Sequence, residues 1–177
     1  MTRHTLLGLL KKSSHFITAL NEFLGKGVSW LVLAMALLVG YDVAMRYLFQ
    51  SGSIALQEME WHLFSLIFLL GAAYTHIHDD HVRMDLFYHS RFMNERRRAW
   101  INLIGSLFFL LPFCVLIISS SFPFIQQSFT FQEGSPDPGG LPYRWLLKSV
   151  IPIAFFLLFM QGIAETLKNL RTILDKS

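Results

Sequence analysis

The segment AWINLIGSLFFLLPFCVLIISSSFPFIQQSFTFQ, residues 99–132, runs for 34 positions without a charged side chain. A helix crossing the roughly 30 Å hydrocarbon core of a bilayer needs about 20 such residues. The segment therefore supplies one membrane span, about residues 99–122, with uncharged chain left over before Glu133. Trp100 stands at its start as an interfacial anchor, directly after the basic triplet Arg96, Arg97 and Arg98.

Other spans lie on either side. One covers about residues 55–77, with Trp61 near its start, and another about residues 145–165, opened by Trp145 and interrupted only by Lys148 near that end. The first is less obvious, because Gly27 to Tyr41 offers only 15 uncharged residues. At ~1.5 Å per residue that is ~22 Å, too short to cross. The helix must continue through Asp42 and Arg46, giving a span of about residues 27–49. The composition agrees. Hydrophobic residues make up 53% and charged residues 15%, with a mean hydropathy of +0.45, whereas a soluble domain carries about 25% charged residues. The fold class expected is an all-α integral membrane protein with four transmembrane helices, forming one small domain over residues 1–177. The single cysteine, Cys114, excludes a disulfide framework and a cysteine-based metal cluster within the chain.

Lysine and arginine set the orientation. Four lie in the N-terminal segment, five between the second and third spans, and three in the C-terminal tail, against only Arg46, Arg144 and Lys148 on the other side. Both termini are therefore expected in the cytoplasm, with an outer loop over about residues 123–144. The net charge of +3 and pI of 9.2 reflect this basic belt, and nucleic acid is not an expected partner. Thr5 to Leu10 is too short for a signal-peptide core and runs into Lys11 and Lys12, so no cleavable signal is expected. Instead Leu6, Leu9, Leu10, Phe16, Ile17, Leu20, Phe23 and Leu24 recur at mostly three- and four-residue spacing. This predicts an amphipathic helix over residues 3–25 lying in the cytoplasmic interface. A weaker pattern of the same kind runs through Met84, Phe87, Tyr88 and Phe92.

Ionisable groups inside spans are candidates for function by default. Asp42 and Arg46 are four apart on one helix face, and Glu58 and Glu60 follow across a short outer loop. They read as a charge-compensated cluster holding the first two helices, or a partner chain, together. The run His76 to His81 contains ligand-type residues, but a polar run is also what a helix leaving the membrane carries. With no second cluster to close a coordination shell, it reads as structural. His62 and His76 sit on one helix, so a haem would need a histidine from another chain. Ser119, Ser120 and Ser121 lack the partners of a catalytic nucleophile and are expected to bond their own helix before it ends at Pro123. Pro112 and Pro152 are expected to kink their spans. No catalytic residue, metal ligand or cofactor is expected in this chain.

The loop QEGSPDPGGLPYRW, residues 132–145, holds three prolines and three glycines, which predicts several fixed turns. A structured loop on the outer face suggests docking, with Glu133 and Lys148 as candidate anchors.

Taken in order, Gly71-Ala72-Ala73-Tyr74, His81-Val82-Arg83-Met84-Asp85, Glu133-x-Ser135, Gly140-Leu141-Pro142, Lys148 and Gln161-Gly162 make a pattern over all four spans. Together with Arg46-Tyr47-x-Phe49 and Glu60, it resembles the small membrane subunit of tripartite ATP-independent periplasmic (TRAP) transporters, the DctQ family, from about Gly27 to Leu167. The resemblance implies a bacterial inner-membrane protein that is a scaffold and not an enzyme. Its implied partners are a large membrane permease subunit of the DctM family, a periplasmic substrate-binding protein and membrane lipids. Substrate and sodium sites would lie in the large subunit, which imports an organic acid. The residues it marks as interface or structural candidates are His81, Asp85, Ser135, Gly140, Leu141, Pro142 and Gln161, beside Asp42, Arg46, Glu60, Glu133 and Lys148. The competing readings are a membrane anchor of a redox complex and a small homo-oligomeric channel. The first needs histidines on facing helices and the second a polar stripe, yet helix three has only Asn102 and Ser106 near one end.

Overall fold

The computed structural model describes residues 3–78 and 94–175, and every regular element in them is helical. Four helices follow one another: α1 (Arg3–Leu48), α2 (Ile54–Ile77), α3 (Glu95–Thr130) and α4 (Arg144–Asp175). α4 packs against each of the other three, α1 and α2 pack on each other, and α3 rests chiefly on α4. Three helices, α1, α3 and α4, are long and apolar enough to cross a membrane. α2 has 24 residues, ~36 Å of helix, but Glu58, Glu60, His62 and His76 lower its apolarity.

The core is made of small and polar side chains. Ala73, Ala99, Cys114, Ala154 and Ala164 are buried, as are Asn21, Asp42, Glu58, Ser128 and Gln161, while phenylalanines and leucines cover the outside. Small residues let helix backbones approach closely where lipid removes the usual hydrophobic drive between helices.

The interfacial helix expected over residues 3–25 is not a separate element, because α1 is one continuous helix of 46 residues. Asn21, Val28 and Asp42 are buried on it at multiples of seven residues, forming a single inward seam. Phe16 and Phe23 are 70% and 75% exposed. The apolar spacing from Phe16 to Phe23 thus marks the outward face, and Asn21 points into the bundle. Gly25 is where the helix comes closest to its neighbour: a Cβ there would collide with the Tyr74 ring. The helix runs past Gly25 and Gly27 without a break.

α3 also departs from expectation. It does not end before Pro123 but continues to Thr130, so the loop leading to α4 begins near residue 131 rather than 123. A proline removes one helix hydrogen bond, yet in an apolar setting the other backbone groups still have no better partner than the helix. Ser119 and Ser121 donate to the carbonyls of Leu116 and Ile117 at 2.9 and 2.6 Å. At Pro112 the adjustment is a π-helical turn, Ser106–Leu110, immediately before the ring, closed by the Leu111 N–H on the Ser106 carbonyl. The wider turn accommodates a residue that has no N–H to give. α4 contains Pro152 and runs to Asp175, beyond the expected end at 165.

Candidate functional site

Glu58 lies in the first turns of α2, and its side chain is 4% exposed. Its carboxylate is the hub of the end of the bundle that holds the α3–α4 loop. The Ser135 hydroxyl and the Leu141 N–H (2.6 Å) both donate to it, and Arg144 reaches it at 3.5 Å. Charge-assisted hydrogen bonds of this kind are roughly twice as strong as neutral ones. A Cβ on Gly140 would meet the Ser135 side chain and lie 2.8 Å from Glu58 Oε2, so this close wrapping needs glycine.

The loop also closes on itself. The Ser135 N–H bonds the Leu141 carbonyl at 3.0 Å, the Gly140 N–H bonds Asp137 at 3.1 Å, and the Arg144 N–H bonds Glu133 at 3.0 Å. Gln132 and Tyr143, which bracket it, hold φ values of 47° and 61°. Such left-handed conformations cost about 1–2 kcal/mol each away from glycine, and persist only where surrounding contacts hold them. Lys148 forms an ion pair with Glu133 and stands 4.0 Å over the Phe124 ring. The Glu133 carboxyl is held below the ordinary carboxylate range, first by the hydrogen bond from Lys148. Trp145 packs edge-on against Phe129, ring centroids 5.2 Å apart.

The cluster predicted from Asp42, Arg46, Glu58 and Glu60 forms only in part. Asp42 and Arg46 are paired one helical turn apart, with Asp42 buried. Glu60 does not join them, and its Oε1 is buried without a hydrogen-bond partner among the described residues. Residues two apart on a helix point to nearly opposite sides, and here Glu58 takes the inward side. One oxygen of Asp42, Oδ1, is likewise buried without a partner. Pro142 is exposed at the loop surface. Trp61 is 64% exposed at the same end of the bundle as Trp145, and Trp100 is 46% exposed at the other.

At that other end Gln161 is buried and accepts a hydrogen bond from Asn21 at 3.2 Å. His76 pairs with Glu165 at 2.6 Å, and His78 packs on Tyr74. Asp79, Asp80, His81 and Asp85, with the second amphipathic pattern through Phe92, lie outside the described residues. Sequence reasoning missed Glu58 as the hub, and Asn21 and Glu165 as partners. The His62 ring bonds only the backbone carbonyl of Glu58, at 2.6 Å, so the hub was not signalled by local spacing.

No curated protein is a significant match to the chain. The family model for the DctQ component of tripartite ATP-independent periplasmic transporters, by contrast, matches residues 35–172, from the middle of α1 almost to the end of α4. That stretch takes in the Glu58 hub, the structured loop and the Gln161 region. The chain therefore belongs to the DctQ family, the small membrane component of TRAP transporters, and is a multi-pass inner-membrane protein, not an enzyme.

Proposed function

We propose that this chain is the stationary scaffold subunit of a sodium-coupled, receptor-dependent importer of an organic acid. Family membership implies a TRAP complex with a DctM-type subunit and a periplasmic binding protein. In this reading the large subunit carries the substrate and sodium sites and moves, and the small chain gives it a fixed frame. α2 is the fourth span, since its ~36 Å suffices for a ~30 Å core. Its Glu58 and His76 face partners within the bundle. Twelve of the fifteen basic residues lie at the end where α1 starts and α4 finishes or in its connecting segment, which favours both termini inside the cell.

The observation that carries the scaffold reading is the Glu58 clamp, which ties the outer loop to α2 and α4 as one rigid end. At that end the buried Asp42 and Glu60 oxygens lack partners among the described residues. An uncompensated buried acid oxygen is costly, and donors from the large subunit would relieve it. The experiment is co-purification. Glu60→Ala should leave the thermal stability of the isolated chain unchanged or higher, yet weaken its complex with the large subunit and reduce uptake. Arg46→Ala should weaken the complex as well, and the binding protein should keep its affinity for substrate. Full-rate transport by the large subunit with receptor and a sodium gradient, in the absence of this chain, refutes the scaffold role.

A further inference from the structure

The basic residues at the two ends of the bundle differ in their partners. At the loop end each of the three is paired with an acid of this chain: Arg46 with Asp42, Arg144 with Glu58 and Lys148 with Glu133. At the opposite end Lys26 pairs with Glu22. Arg96, in the first turn of α3, is different, because its side chain forms no ion pair among the described residues. Arg96 and Arg97 are both exposed, and Arg98 is half-buried beside them. Glu95 is the acid of this turn, and the three arginines outweigh it.

The residues that follow continue the pattern along the same face of the helix. Trp100 and Ile104 stand four and eight positions after Arg96, and Ile101 stands four after Arg97. Side chains four apart on a helix lie one above the other. Trp100, Ile101 and Ile104 are 46%, 47% and 46% exposed, so the bundle leaves this face open. From the helix end inward it reads cation, aromatic, aliphatic. Tryptophan favours the head-group level of a bilayer. Arg96 then lies ~6 Å further out, at the depth of the phosphates, and Ile104 ~6 Å further in, among acyl chains. We propose that this face binds one anionic phospholipid, with its phosphate on the Arg96 guanidinium and its acyl chains along Trp100, Ile101 and Ile104. A guanidinium matches a phosphate through two parallel hydrogen bonds, and net charge selects the lipid class. The ammonium of a choline lipid offsets its phosphate, whereas phosphatidylglycerol keeps a negative charge for the arginines. An acidic protein segment would answer the arginines alone, and gives no reason for the order of bilayer depth below them. The proposal needs only that α3 crosses the membrane, and does not rest on the scaffold reading.

The test uses the full chain, purified in detergent, stripped of lipid, and reloaded with an equimolar mixture of dioleoyl-phosphatidylglycerol and dioleoyl-phosphatidylcholine. Native mass spectrometry should show the glycerol lipid retained over the choline lipid by about fivefold or more, the scale of one arginine near an anionic head group. Arg96→Gln should remove most of that preference, and Arg96→Lys, which keeps the charge, should retain most of it. Lys26→Gln, on a lysine already paired with Glu22, should leave it unchanged. The comparison of the two lipids on the unaltered chain needs no variant to fold. Equal retention of the two, or a preference that survives Arg96→Gln, overturns the proposal. Displacement of the lipid by soluble glycerol phosphate at matched concentration overturns it too, because the ligand would then be a free phosphate ester. If Arg96→Gln weakens the complex with the large subunit but leaves lipid retention as it was, the face is a protein contact and the proposal fails.

Discussion

Glu58 and Leu141 are joined by a 2.6 Å hydrogen bond from the Leu141 N–H to the Glu58 carboxylate, across 83 positions of sequence. Because the Ser135 hydroxyl donates to the same carboxylate, a single side chain fixes both arms of the loop between α3 and α4. The loop's geometry is thus a property of α2 as much as of its own prolines.

Replacing Glu58 should release the loop without unfolding the helices. In Glu58→Ala, amide exchange at Leu141 should accelerate by at least about tenfold, the scale of one lost hydrogen bond to a charged group. Exchange in the middle of α3 should stay unchanged. Protection at Leu141 equal to that of the unaltered protein would show that the turns hold themselves.

The Glu133–Lys148 pair makes the loop acid-sensitive. The Glu133 carboxyl sits below its ordinary value of 4.5 in the folded chain. Its stabilisation is therefore complete above that ordinary value and is lost as pH falls through the lower folded one. Loop protection should be flat from neutral pH to about 5 and decline only in stronger acid. Lys148→Met should flatten that acid decline, which a pH series of exchange measurements reads directly.

Gly25 should tolerate no side chain while Tyr74 is present, because a Cβ there runs into the ring. Gly25→Ala should cost about 1–3 kcal/mol, the range for overpacking, seen as a lower Tm in detergent. Adding Tyr74→Ala should recover part of the loss. If the double variant is as unstable as the sum of the two single ones, the contact is not the cause.

The assignment of sides is open to a direct check. Reporter fusions after Arg98 and after Ser177 should behave as cytoplasmic, and one inserted within residues 136–139 as periplasmic. A periplasmic signal after Arg98 would break the assignment of α2 as a span.

Much was legible in the chain itself. The uncharged run of residues 99–132 and its counterparts determine that the protein is helical and lives in a membrane, because an unpaired charge or an open backbone is too costly there. The ordered pattern from Gly71 to Gly162 determines its family, as the match over residues 35–172 shows. What the sequence could not decide is which polar residues meet. Glu58 and Glu60 are equivalent in composition, and only packing against α4 and the loop turned Glu58 inward. The apolar spacing from Phe16 to Phe23 marks an outward face in the structure, because periodicity identifies a stripe but not what lies against it. Pro123 reads as a stop, yet α3 passes through it, since a helix in apolar surroundings loses more by ending than by forgoing one bond. Local rules determine the elements. The pairings across 83 to 140 residues, Glu58 with Leu141 and Asn21 with Gln161, exist only once four helices have packed.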